Sequence, residues 1–167
     1  MLSGAFRATT KDGTVYYRSS LTYKRKHISL GSFPSEEEAH LAYKEGTSLL
    51  SVPEITLENY ASHIKKLDYT KAITLLNFRD NGVYIKNPIY LRQSYFLYFL
   101  SPQAEYKFDI DDLFFYSSHK IMQRGGRLFV NEYGMQTGIL SRYGVRNHAV
   151  LDVDYSFANG DSYDYRY

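Results

Sequence analysis

The sequence contains no cysteine, no tryptophan and no long run of apolar residues. The absence of cysteine excludes disulfide bonds and thiolate metal sites. No apolar stretch approaches the roughly 20 residues that a membrane-spanning helix needs, and the N-terminus lacks the charged-then-apolar pattern of a signal peptide. The sequence therefore predicts a soluble cytoplasmic protein of one or two small domains, with no membrane partner.

Charge is nearly balanced overall but concentrated at the N-terminus. The 167 residues have a formal net charge of +2. Residues 1–26 contain six lysines and arginines against one acidic residue, a local net charge of +5, so residues 27–167 have a net charge of −3. A basic cluster of this kind is typical of a nucleic-acid-binding surface. The alternative is a solvated hairpin, because basic turns are common on protein surfaces.

The first 33 residues predict three strands joined by turns. Asp12-Gly13 is a hairpin signal between a strand at residues 5–7 and a strand at residues 15–23, and a third strand is expected at residues 27–30. Alternation along the strands predicts that Ile28 and Leu30 point inward and that Arg18, Ser20 and Thr22 point outward. The outward face is then polar and basic, and nothing in this segment covers it.

A helix start is predicted directly after these strands. Ser35 and Glu38 have the spacing of a capping box, and residues 36–38 are acidic, which the positive end of a helix dipole favours. Small and apolar residues then recur at helical spacing: Ala39, Ala42, Tyr43, Gly46, Leu49 and Leu50. We expect the small residues at the start of this stripe to let the sheet approach the helix closely.

The stretch from Gly4 to Gly46 resembles the DNA-binding domain of plant ethylene-response factors and of its bacterial and phage relatives in mobile-element nucleases and integrases. The matching landmarks are Gly4-Ala5-Phe6-Arg7, Asp12-Gly13, Tyr17-Arg18, Leu30-Gly31-Ser32-Phe33, and the Glu-Glu-Ala and Ala-Tyr of the helix. In that family the sheet lies in the major groove, and one of its strands contains a tryptophan whose place is taken here by Tyr17. The resemblance implies DNA contacts from the outward side chains: Arg7, Arg18, Ser20, Thr22, Lys24, Arg25 and Lys26.

The second half of the chain predicts further strands and short helices. We expect a helix at residues 57–67 capped by Thr56, while periodicity leaves a helix at residues 69–78 open. Turns are expected at residues 80–82 and 87–88, strands at 89–91, 95–100, 106–110 and 128–130, and a helix at 135–143.

The turn from Arg124 to Arg127 is glycine-rich and basic. It could bring backbone amides to a phosphate, or it could be an ordinary tight loop.

The C-terminal stretch from Val153 to Arg166 resembles the second half of an HNH nuclease motif. Asn159-Gly160-Asp161 and Asp164-Tyr165-Arg166 keep the spacing of that motif, but Phe157 occupies the place of the histidine that acts as general base. Because phenylalanine cannot take a proton or bind a metal, the resemblance implies a nuclease scaffold that has lost its chemistry. Side chains that could replace the histidine or hold a metal are His119, His148, Asp152, Asp154, Asp161 and Asp164.

These patterns predict an α+β fold with three parts. Residues 1–52 form a three-stranded antiparallel sheet packed on one helix, residues 53–79 a helical connector, and residues 80–167 an aromatic-rich α+β domain. The favoured function is the binding of double-stranded DNA, or alternatively RNA, by a phage or mobile-element protein in a bacterial host. Neither catalysis nor a cofactor nor a metal is expected, and Arg124 and Arg127 are added to the candidate contacts.

Two other functions stay open. The first is a protein-interaction module, such as an inhibitor of a nucleic-acid-processing enzyme, because the chain has 18 tyrosines and tyrosine is enriched at interfaces. The second is a metal-dependent HNH-type nuclease that obtains its histidine from elsewhere in the chain.

Overall fold

The chain begins with a three-stranded antiparallel sheet. The computed structural model describes residues 2–118, 120–124, 127–132 and 135–138. Strands β1 (Ala5–Thr9), β2 (Val15–Tyr23) and β3 (Lys26–Phe33) lie in the order β1-β2-β3, with a bulge where the β2–β3 register shifts between Ser19 and Ser20. All three predicted strands are confirmed, and β3 extends three residues beyond its predicted end.

Helix α1 (Glu36–Ser51) follows the sheet and starts at the predicted cap. The Ser35 hydroxyl accepts the Glu38 N–H at 3.2 Å and donates to the Glu38 carboxylate at 3.1 Å. The same carboxylate pairs with Lys66 at 2.9 Å. The first bond satisfies one of the N–H groups that every helix start leaves without an intrahelical partner, so the predicted N-cap at Ser35 is confirmed, while the Glu38 carboxylate accepts the Ser35 hydroxyl.

The helix packs closely on the sheet because its contact face is made of small residues. Ala39 and Ala42 are fully buried. A Cβ atom at Gly46 would lie 3.0 Å from a Leu21 methyl and 3.3 Å from methyls of Leu30 and Leu75. Only glycine leaves room for these three side chains without displacing them.

Between α1 and helix α2 (Tyr69–Asn81) the chain forms only a single 3₁₀ turn, Tyr60–His63. The helix predicted at residues 57–67 is therefore wrong. Asn59 accepts the Thr56 N–H at 2.8 Å and donates to the Glu54 carbonyl at 2.9 Å, and these side-chain bonds hold an irregular loop.

The expected turn at residues 80–82 is also shorter than predicted, because α2 runs to Asn81 and ends at Gly82 in the left-handed conformation.

The second half adds two more three-stranded antiparallel sheets. One has the order β4 (Ile89–Leu91), β5 (Tyr95–Ser101), β6 (Ala104–Asp109), close to the predicted strands. A 3₁₀ turn (Ile110–Asp112) and the short helix α3 (Leu113–Tyr116) lead to the other, β7 (Ile121–Arg124), β8 (Arg127–Glu132) and β9 (Met135–Gly138). The helix predicted from Met135 is wrong at residues 135–138, because these residues pair with β8 in a ladder that matches Val130 with Thr137.

Two hydrophobic clusters join the elements from β2 to the start of β7, and β5 contributes to both. Leu97 and Phe99 belong to the cluster that joins the inner face of the first sheet with α1 and α2, whereas Phe96 and Tyr98 belong to an aromatic cluster with β6 and α3. Alternation along β5 explains this division, because successive side chains point to opposite faces.

The α+β class, with the first sheet packed on one helix, is confirmed. Among the described helices, none has the length and apolar character needed to cross a bilayer.

Candidate nucleic-acid interface

Strand register determines which side chains share the surface opposite α1. Residues directly across from each other lie on the same face. Arg18 pairs with Phe6 and Ser32, Ser20 pairs with Ser29, and Thr22 pairs with His27. We call this surface the outer face and define it by Phe6, Tyr16, Arg18, Ser20, Thr22, His27, Ser29 and Ser32. None of these residues is acidic.

Arg18 lies at the centre of the outer face. Its guanidinium lies 5.8 Å from the centre of the Tyr16 ring, and Nη2 donates to the Tyr16 hydroxyl at 3.4 Å. No carboxylate of the described residues lies within ion-pair distance of it. The aromatic ring therefore orients the guanidinium while its charge stays available to a phosphate or a base edge.

A depression of about 370 Å³ lies beside Arg18. It is lined by Phe6, Arg18, Ser19, Ser20, His27 and Ser29. Ser20, predicted as an exposed contact, is only 8% exposed and lies among these neighbours. Thr22, His27 and Ser29 are exposed as their strand positions predict. Phe6, Tyr16, His27 and Ser29 were not among the predicted contacts, although His27 and Ser29 alternate with the inward Ile28 and Leu30 along β3.

Two predicted contacts, Arg7 and Lys26, lie on the opposite side of the sheet. Arg7 pairs with Tyr17, and Lys26 pairs with Tyr23, whose ring packs edge-on against Phe78 at 5.3 Å. The Lys26 ammonium lies 4.6 Å from the centre of the Tyr84 ring. The inclusion of these two residues in an outward-facing set was therefore wrong. Arg7 is adjacent to the outward Phe6 and Lys26 is adjacent to the outward His27, and adjacent side chains of a strand point to opposite faces.

The remaining two basic candidates, Lys24 and Arg25, form the turn between β2 and β3 and differ in their surroundings. Lys24 and Arg25 both have positive φ, 49° and 66°, as a two-residue type I′ hairpin turn requires. The Lys24 ammonium lies 5.3 Å from the Tyr23 ring centre and 5.9 Å from that of Phe78, at the edge of the core. Arg25 is exposed at the tip of the hairpin. Both residues are exposed, but Lys24 lies over two aromatic rings, so Arg25 is the better candidate to extend the basic surface beyond the strands.

The other hairpin loop carries the one acidic residue of the basic segment. Asp12 accepts hydrogen bonds from the Thr10 hydroxyl and from the Thr14 N–H, the latter at 3.1 Å. These bonds lower the pKa of Asp12 to about 2, the Thr10 bond having the largest effect. The carboxylate therefore closes its own loop and stays ionised at any physiological pH.

The remaining predicted residues belong to other parts of the chain. Arg124 and Arg127 pair with each other at the end of the β7–β8 hairpin, in a sheet separate from the N-terminal one. His119, His148 and the HNH-like stretch from Val153 to Arg166 lie outside the described residues. Within the described ranges, no group of three histidine, aspartate or glutamate side chains could hold a metal ion.

The described geometry thus brings Arg18, Thr22 and the buried Ser20 together on one face, with Arg25 at its hairpin tip. It separates them from Arg7, Lys24 and Lys26. The resemblance to ethylene-response-factor domains and to HNH nucleases stays a prediction. No protein-family model, no curated protein and no solved structure matches this chain.

Proposed function

We propose that this protein binds double-stranded DNA through the outer face of its N-terminal sheet and does no chemistry there. The observation that supports this most directly is Arg18, whose guanidinium lies over the Tyr16 ring on an exposed face that has hydroxyl groups and no carboxylate. The surrounding segment has a net charge of +5 in a chain whose net charge is +2. Such a field attracts the phosphate backbone before any base is read.

The dimensions of the hairpin suit this function. A two-stranded ribbon fits the B-DNA major groove, which is about 12 Å wide. With β2 and β3 in the groove, Arg18 could reach a guanine edge with both guanidinium nitrogens, as arginine does most often. Thr22 and Ser29 would donate to phosphates beside it, and Arg25 at the tip would contact the backbone.

The test is fluorescence anisotropy of a labelled random-sequence duplex, measured at several salt concentrations. We expect Arg18→Ala and Arg25→Ala each to weaken binding and to reduce the slope of log affinity against log salt by about one unit. Lys24→Ala removes the same charge in the same turn, but its ammonium lies over Tyr23 and Phe78, so its effect should be smaller. Lys44→Ala, on the exposed side of α1, is the matched control for charge loss on the opposite layer.

Two results would contradict the proposal. If the unchanged protein does not bind the duplex at low salt, the basic segment is an ordinary solvated surface. If Lys44→Ala lowers the salt slope as much as Arg18→Ala, DNA binds without preference for the outer face. An RNA duplex in the same assay distinguishes the alternative nucleic acid, because A-form RNA has a deep, narrow major groove that side chains do not read.

Phe6 supports a second candidate, the protein-interaction module. Its side chain is 52% exposed beside the depression on the outer face, and an exposed aromatic next to a concave surface is typical of a protein-binding site. Phe6→Ser should leave the salt slope of DNA binding unchanged if DNA is the ligand of this face, because the substitution removes no charge.

The nuclease alternative requires that purified protein cleave supercoiled plasmid with Mg²⁺, Mn²⁺ or Zn²⁺, and we expect no cleavage.

A further inference from the structure

A second depression, of about 430 Å³, lies between the start of α2, the loop before β4, the end of β5 and the start of β7. It shares no residue with the outer face. Its volume is within the range of pockets that hold small molecules. Three of its lining residues are lysines, from three separate parts of the chain: Lys71, Lys86 and Lys120.

No acidic residue lines this lysine pocket. Lys71 is half-buried, and its pKa lies below the usual value, first because of burial and then because Lys86 is close. Asp68 is the carboxylate that opposes this shift, but it accepts the Thr70 hydroxyl. Within the described part of the chain, none of the three ammonium groups makes a hydrogen bond or an ion pair. Like charges are thus collected in a concave site whose lining contains no carboxylate, and Asp68 is the nearby carboxylate that partly offsets the charge of Lys71.

The rest of the lining is apolar or already hydrogen-bonded. The Tyr69 hydroxyl donates to the Leu100 carbonyl at 2.6 Å, and the Tyr98 hydroxyl accepts the Ile121 N–H at 3.0 Å. Asn87 donates to the Tyr116 carbonyl at 3.0 Å. The lysines are therefore the groups best able to bind a ligand's charge, and the rings and methyl groups beside them suit its uncharged part.

We propose that the lysine pocket binds a free organic phosphate that carries at least two negative charges. The phosphates neutralise the three ammonium groups, and the organic part lies against Tyr69 and Leu100, which are the partly exposed apolar residues of the lining. Binding relieves the repulsion between Lys71 and Lys86, which costs free energy while the site is empty. This inference is independent of DNA binding, because the two sites come from different elements.

Isothermal titration calorimetry of the full chain tests the proposal, with ATP, pyrophosphate and adenosine as probes. We expect ATP and pyrophosphate to bind and adenosine not to bind. Lys71→Met and Lys86→Met should each weaken ATP binding about tenfold, because each removes a charged partner of the phosphates but keeps an apolar stem. Lys44→Met is the matched control and should bind ATP as the unchanged protein does.

Three outcomes would overturn the proposal. They are the absence of ATP and pyrophosphate binding at millimolar concentration, binding of adenosine as tight as that of ATP, and equal affinity in the lysine-pocket variants and the control. Lys86 is exposed, so Lys86→Met keeps the test decisive if Lys71→Met fails to fold. A loss of duplex affinity in Lys71→Met as large as in Arg18→Ala, without ATP binding, would assign the pocket to the DNA backbone instead.

Discussion

At the scale of single residues, Glu45 has a structural role that its position in a helix does not suggest. It is a charged side chain that is only 9% exposed. Its carboxylate accepts the backbone N–H groups of Lys65, Lys66 and Leu67 at 2.7, 2.9 and 2.9 Å. Those three N–H groups would otherwise be available to a helix. Glu45 thus binds the loop before α2 to α1 through three backbone N–H groups.

We predict that Glu45→Gln lowers the free energy of unfolding by about 2–3 kcal/mol. The amide keeps one acceptor oxygen, but its NH₂ group would face a backbone N–H, leaving a buried donor unsatisfied. Chemical denaturation at neutral pH measures the change. Glu58→Gln, an exposed acid in the same loop, is the control and should differ from the unchanged protein by less than about 0.5 kcal/mol. Equal stabilities of the two variants would show that Glu45 does not hold the loop.

At the scale of elements, the β2–β3 hairpin combines a strained turn with the proposed DNA contact. Positive φ values are unfavourable for residues with a Cβ atom, and here both turn residues have them. Asparagine and glycine are the residues that this turn type prefers. The two positions are instead occupied by Lys24 and Arg25, so stability is lost at the tip where a cation would meet the DNA backbone. Such local strain is often found at functional sites.

We predict that Arg25→Gly raises the free energy of unfolding by about 1 kcal/mol and weakens duplex binding. Arg25→Ala removes the same charge but keeps a Cβ atom, so it should weaken binding equally without the gain in stability. Chemical denaturation and the anisotropy assay measure the two effects separately. If Arg25→Gly is stabilised but binds DNA as before, the strain is real and the tip is not a contact.

At the scale of the whole molecule, buried tyrosines make the fold sensitive to alkaline pH. Burial raises the pKa of Tyr60, Tyr90 and Tyr98 to about 12. They belong to different parts of the two clusters, so their ionisation affects the molecule as a whole. Since the pKa in the folded state exceeds the unfolded value of about 10, their contribution to stability is complete below pH 10 and is lost as pH rises from 10 to 12. Lys71, whose pKa is lowered, adds stability as pH rises toward its ordinary pKa of 10.5, so its effect lies mainly below the pH range of the tyrosine loss.

We predict that the protein unfolds cooperatively between pH 10 and 12, with tyrosine absorbance at 295 nm showing delayed ionisation of part of the 18 tyrosines. Tyr60→Phe is the matched variant, because the buried Tyr60 hydroxyl has no hydrogen-bond partner among the described residues. Its stability at pH 7 should be unchanged or higher, and its alkaline loss smaller. An unchanged alkaline midpoint in Tyr60→Phe would show that Tyr60 does not contribute to this transition.

The sequence by itself determined the features that depend on near neighbours. The cap at Ser35, the turn at Asp12-Gly13 and the alternation of Ile28 and Leu30 involve contacts within a few residues, and all three are present in the fold. The charge asymmetry of residues 1–26 is likewise a property of the chain alone. For this reason the first sheet, its helix and the position of Arg18 were predictable.

Tertiary structure decided the features that depend on residues far apart in the chain. Register across β1 and β3 assigned Arg7 and Lys26 to the helix side, and pairing with β8 made residues 135–138 a strand. The Glu45 carboxylate, 20 or more residues away in sequence, accepts the backbone N–H groups of residues 65–67, where a helix was predicted. The lysine pocket likewise brings together Lys71, Lys86 and Lys120. Local propensity contributes only tenths of a kcal/mol per residue, so long-range hydrogen bonds and burial outweigh it at these positions.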